Sequence, residues 1–83
     1  MKILPISDKI YNYLKSRQLE KKFEKQIRLL ENDLRHPGLN VELLEPREFQ
    51  VYSFRLDRKF RVIFFFPEPK ATIKIMKVTD HYQ

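Results

Sequence analysis

An α+β fold, two helices followed by a twisted antiparallel sheet, is what this sequence predicts, and three observations carry the prediction. Before His36 the apolar residues recur every three to four positions, as on a helix face; after Gly38 they alternate with polar residues or run continuously, as in strands; and His36-Pro37-Gly38 marks the change of period. With 83 residues there is room for a single hydrophobic core, so 1–83 reads as one domain with no linker or repeat.

Each element follows in order. Met1 to Ile6 (MKILPI) is short and apolar and contains Pro5, which suits an edge strand. Ser7 and Asp8 are N-cap candidates for a first helix that carries Ile10 and Leu14 four apart on one face. Leu19, Phe23, Ile27, Leu30 and Leu34 form the apolar stripe of a second helix of about 16 residues, with Lys21, Lys22, Lys25 and Arg28 among glutamates outside it. His36, beside Pro37, reads as the cap of that helix's C-terminus. Leu39 to Glu45 alternates weakly, Tyr52 to Leu56 alternates cleanly, Phe60 to Phe66 is the most apolar strand and therefore central, and Ala71 to Val78 comes last.

Parity fixes the hairpin between the second and third of these strands. Tyr52, Phe54 and Leu56 share a core face with Phe60, Val62, Phe64 and Phe66 only if Leu56 stands opposite Phe60. Asp57, Arg58 and Lys59 are then a three-residue loop, and Arg55 faces Arg61 on the other side of the sheet. Like charges in direct register destabilise a sheet, so the pair either splays into water or forms an anion site. Ile63 and Phe65 share that face, beyond the reach of the helices, and read as a partner surface.

Composition excludes several chemistries. There is no cysteine, so disulfides, thiol catalysis and zinc ribbons are out; two histidines, without HExxH or DxD patterns, are too few for a dedicated metal centre; one glycine removes phosphate-cradling loops. No cofactor and no metal are expected. The net charge of +6 favours polyanionic partners, or else serves only solubility. No apolar run approaches the roughly 18 to 20 residues that span a bilayer, and the first ten residues lack a signal peptide's apolar stretch, so a cytoplasmic protein without membrane contact is expected.

The helix end Asp33-Leu34-Arg35-His36-Pro37-Gly38-Leu39, the strands Val51-Tyr52-Ser53-Phe54-Arg55-Leu56-Asp57 and Lys59-Phe60-Arg61-Val62-Ile63-Phe64, and the C-terminal Val78-Thr79-Asp80-His81-Tyr82 together resemble the RelE/ParE superfamily of toxins from bacterial toxin–antitoxin modules. The resemblance runs from about Leu19 to Gln83, and the terminal His-Tyr with the strand arginine looks most like the RelE/YoeB branch. It implies a ribosome-dependent endoribonuclease that cuts mRNA by 2′-OH attack, without metal, and a cognate antitoxin that restrains it. Arg61 then matches the arginine that stabilises the pentacoordinate phosphate, and Arg55 the arginine that binds the same phosphate, with Arg58 and Lys59 as further RNA phosphate contacts. His81 matches the general acid for the leaving 5′ oxygen, Tyr82 a residue that holds or stacks on RNA, and Glu42 the base for the ribose hydroxyl. Gln50-Val51 departs from the pattern, since many members carry a glycine before this strand's aromatic residue.

Two other readings stand beside this one. ParE-like members of the superfamily bind and poison DNA gyrase instead of cutting RNA. An inactive or purely nucleic-acid-binding member fits the same composition.

Overall fold

The computed structural model describes residues 1–69 and 71–81. Ser7 starts helix α1 (Asp8–Ser16): its extended backbone turns the chain inward while its hydroxyl accepts a hydrogen bond from the Ile10 N–H, supplying a partner for one unpaired donor of the first turn. Ile10 and Leu14 are the buried face of α1, as their spacing predicts. Helix α2 (Glu20–Asn32) buries Phe23, Gln26 and Leu30.

The second helix is shorter than its apolar stripe suggests. It stops at Asn32 because Asp33 is extended, and the Asp33 carboxylate accepts from the Arg35 N–H to form a turn of its own. His36 therefore does not cap α2. Its Nδ1 accepts from the Gly38 N–H at the start of a separate 3-10 turn, Pro37–Leu39, which buries Leu39.

Five strands make one sheet in the order β1-β5-β4-β3-β2, where β1 is Lys2–Ile3, β2 Glu42–Leu43, β3 Val51–Arg55, β4 Arg61–Phe65 and β5 Thr72–Thr79. The edge place expected for the first strand is observed, but β1 pairs parallel to β5, so the sheet is mixed rather than wholly antiparallel. The strand read over Leu39 to Glu45 is reduced to two residues: the 3-10 turn and the left-handed Asn40 (φ 46°) take up its first half, and Pro46 follows its end. A second 3-10 turn, Arg47–Phe49, returns the chain through left-handed Gln50 (φ 54°) into β3.

The hairpin register agrees with the parity argument. Arg55 pairs with Arg61, Phe54 with Val62 and Tyr52 with Phe64, while the Leu56 N–H donates to the Phe60 carbonyl. Between β4 and β5 one extra residue, Met76, bulges from β5, since Ile63 pairs with Lys77 and Phe64 with Ile75.

The two helices cover one face of this sheet. Phe23, Phe54, Phe64, Leu14, Leu30, Leu39, Ile73 and Val62 are fully buried between the layers. Burial of side chains this large contributes about 1.5–3 kcal/mol each, which is what a chain without disulfides has to rely on. Phe64 is the hub of the aromatic residues, with ring centroids 5.7 Å from Tyr52, 5.9 Å from Phe54 and 5.5 Å from Phe66.

Candidate active site

The face of the sheet turned away from the helices carries the strand arginines singled out by the sequence. Alternation puts Ser53 and Arg55 of β3, Arg61, Ile63 and Phe65 of β4, and Lys77 and Thr79 of β5 on it, in rows fixed by pairing. One row runs Arg55, Arg61, Thr79; the next runs Glu42, Ser53, Ile63, Lys77.

Arg61 is the centre of the cluster and differs most from expectation. It is not a solvent-facing strand arginine: only 2% of it is exposed. Its Nε donates to the Ser53 hydroxyl at 2.8 Å, and its Nη2 donates to the Asn40 and Ser53 carbonyls. The same nitrogen lies 3.4 Å from the Glu42 carboxylate. A buried guanidinium demands such a set, because its desolvation is offset only when its donors find acceptors. Glu42 is half-exposed, so its carboxylate touches both Arg61 and solvent.

Arg55, opposite Arg61, is exposed, and so are Arg58 and Lys59 in the adjoining loop. The like-charge pair is thus resolved by asymmetry: one arginine turns inward to protein acceptors and the other projects into water. Asp57 shapes the loop. Burial works to raise its carboxyl, but hydrogen bonds from the Phe60 and Lys59 N–H groups and the Lys22 ammonium outweigh that and hold it below the ordinary aspartate range.

His81 lies just past the end of β5. Thr79, in register with Arg61 and itself buried, pins the turn: its hydroxyl accepts from the His81 N–H and donates to the His81 carbonyl. The imidazole is 93% exposed and stands 3.4 Å from Asp80, whose other oxygen is 3.9 Å from the Lys59 ammonium. Register thus puts Arg55 and Arg61 in one row of this face, with Glu42 against Arg61, while Lys59 and His81 stand beside Asp80 just past the Thr79 end of β5. Tyr82 lies outside the described residues. Ile63 is buried at 7% exposure, not open, and only Phe65 of that pair is partly exposed.

Two residues of the neighbourhood escaped the sequence reading. Ser53 is fully buried as the acceptor for Arg61. Gln26, 7% exposed, donates from its side-chain amide to the Gly38 and Arg55 carbonyls, at 3.1 and 2.6 Å, joining α2 to both segments that frame the cluster. A signal for Gln26 was present: it stands three residues after Phe23 and four before Leu30, on the buried stripe rather than the charged face.

The arrangement offers an exposed cation beside a fixed one, a carboxylate touching the fixed one, and an imidazole accessible to a ligand. Exposed guanidinium groups attract anions, and carboxylates and imidazoles are the side chains that general acid–base chemistry employs. Among the described residues, no three His, Cys, Asp or Glu side chains come together as metal ligands would, and no helix is long and apolar enough to cross a membrane.

No protein-family model matches the chain, and no curated protein matches its sequence. Solved structures do. A YoeB/ParE toxin from Agrobacterium tumefaciens superposes with a TM-score of 0.74 at 16% identity, covering 99% of this chain and all of that one. The YoeB dimer from Staphylococcus aureus gives 0.71 at 19% identity, and the Staphylococcus aureus YoeB-YefM toxin-antitoxin complex, a heterotetramer, gives 0.68 at 21%; each covers 98% of this chain and 94% of the other. At these identities the likeness is one of architecture from end to end: the chain has the fold of the YoeB and ParE toxins.

Proposed function

We propose that this chain is the toxin of a toxin–antitoxin module and that it cleaves messenger RNA on the ribosome. One observation carries the reading: the sheet register that puts Arg55, Arg61 and Thr79 in one row, with Glu42 against Arg61 and His81 two residues beyond Thr79. The shared fold with YoeB toxins and the net charge of +6 support it.

In the proposed reaction the Glu42 carboxylate takes the proton of a ribose 2′-OH, and that oxygen attacks the adjacent phosphorus. As the P–O5′ bond breaks, His81 in its protonated form delivers a proton to the departing 5′ oxygen, leaving a 2′,3′-cyclic phosphate and a 5′-hydroxyl. Arg61, held in place before substrate arrives, stabilises the charge that develops on the phosphoryl oxygens, and exposed Arg55, Arg58 and Lys59 draw in the backbone. Tyr82 is proposed to hold the RNA beside His81. The partner that restrains this activity is a cognate antitoxin, as YefM partners YoeB in the complex of like fold, and its acidic groups would cover Arg55 and the loop cations.

Induction of the gene tests the reading. Growth arrest with rapid loss of full-length mRNA, reversed by co-expression of an adjacent small acidic gene product, is the expected result. Arrest with DNA double-strand breaks and intact mRNA would replace it with gyrase poisoning, and normal growth would overturn the toxin assignment.

A further inference from the structure

Arg61 leans across β3 instead of standing over its own strand, and the residue it crosses is Ser53. In the antiparallel pairing Ser53 is diagonal to Arg61, two positions before its direct partner Arg55, within reach of a long side chain. Ser53 is fully buried, flanked in its own row by Glu42 on β2 and Ile63 on β4. Its small side chain leaves space for the guanidinium to fold inward, and its hydroxyl and carbonyl accept from Nε and Nη2 respectively. A larger side chain would fill that space; an alanine would leave it but remove the acceptor for Nε.

We infer that Ser53 is a positioning residue: it turns Arg61 toward Glu42 and fixes the guanidinium before substrate binds. This rests on the proposed RNA cleavage, in which Arg61 acts on the phosphate and Ser53 touches no reacting atom. The chemistry follows from what an arginine loses when its Nε anchor is gone. Its Nη2 still reaches the Asn40 and Ser53 carbonyls and Glu42, but the hydroxyl that holds Nε is gone, and charge stabilisation in a transition state depends on the plane of the guanidinium being set in advance. The contribution belongs to the chemical step, not to binding: Arg55, Arg58 and Lys59 still attract the RNA.

The test combines kinetics with a spectroscopic signature. In the wild-type protein, the Arg61 Nε–H is expected as a resolved, slowly exchanging ¹H–¹⁵N signal; a rapidly exchanging signal overturns the proposal without any variant. S53A is expected to lower kcat about tenfold to a hundredfold while KM stays within about twofold, measured well below its unfolding midpoint. R61K keeps a cation but has no Nε–H, so adding S53A to R61K should cost little more than R61K alone; losses that multiply overturn the proposal. If wild-type protein cleaves RNA and S53A matches its kcat, the reaction stands and the role of Ser53 falls. If wild-type protein cleaves nothing, both fall.

Discussion

Arg61 and Glu42 meet at 3.4 Å although β3 runs between the strands that carry them. The contact exists because Arg61 lies down over Ser53 and the 3-10 turn brings the Asn40 carbonyl to its tip. A buried cation and a half-exposed carboxylate should respond very differently to mutation. Arg61→Ala is expected to cost about 1–3 kcal/mol, because it leaves buried acceptors without their donor. Glu42→Gln should barely move the unfolding midpoint, since its partner retains the other acceptors. Urea titration checks both; a silent Arg61→Ala would contradict the burial argument.

That prediction marks how far the sequence carries. Period-2 alternation and parity made the β3–β4 hairpin legible down to the Arg55–Arg61 pairing, because a one-residue slip would have exposed Phe54 and Val62. The two faces of the sheet were legible too, but not the burial of Arg61. Periodicity says which way a side chain leaves its strand; what then lies over it depends on a turn at Pro37–Leu39 and a left-handed Asn40 that have no period to read. For the same reason β2 is shorter than its alternation predicts and α2 ends at Asn32, before its apolar stripe does: short turns closed by side-chain and backbone hydrogen bonds override a weak apolar pattern.

Gln26 ties α2 to the two segments that frame the cluster. Gln26→Leu keeps the bulk but leaves the Gly38 and Arg55 carbonyls without this donor, and is expected to lower stability by about 1–3 kcal/mol. Gln26→Glu should be worse, because a carboxylate would face two carbonyl oxygens. Thermal unfolding of the pair orders them, and a more stable Gln26→Glu would contradict the donor role.

Gln50 holds a left-handed backbone at φ 54°, where glycine is unstrained. Its side chain offsets part of that cost by donating to the Arg47 carbonyl and accepting from the Tyr52 hydroxyl. Gln50→Gly is therefore expected to change stability by less than about 1 kcal/mol, whereas β-branched Gln50→Val, lacking both compensations, should destabilise clearly. Chemical denaturation of both variants decides it; equal effects would remove the backbone argument.

Asp57 links pH to stability. Because its carboxyl holds a proton less tightly in the folded chain than in the unfolded one, its contribution is complete above the ordinary aspartate value of roughly 3.9 and is lost as pH falls through the lower folded-state value. Asp57→Asn should lower stability at neutral pH and flatten the acid limb below about pH 4. Acid titration followed by circular dichroism measures both, and an unchanged limb would show that Asp57 contributes nothing to it.

The central claim is that one end of one sheet face is a site for RNA cleavage, with His81 as its proton donor. The most direct measurement is cleavage of an end-labelled mRNA by the purified protein, with and without programmed ribosomes, comparing wild type with His81→Ala. The His81 side chain is 93% exposed, so the variant should unfold at the wild-type midpoint and any loss is chemical. The account predicts ribosome-dependent cuts ending in a cyclic phosphate, strongly reduced in His81→Ala. Folded wild-type protein that leaves the mRNA intact under both conditions, or a His81→Ala variant that cuts as well as wild type, would contradict it.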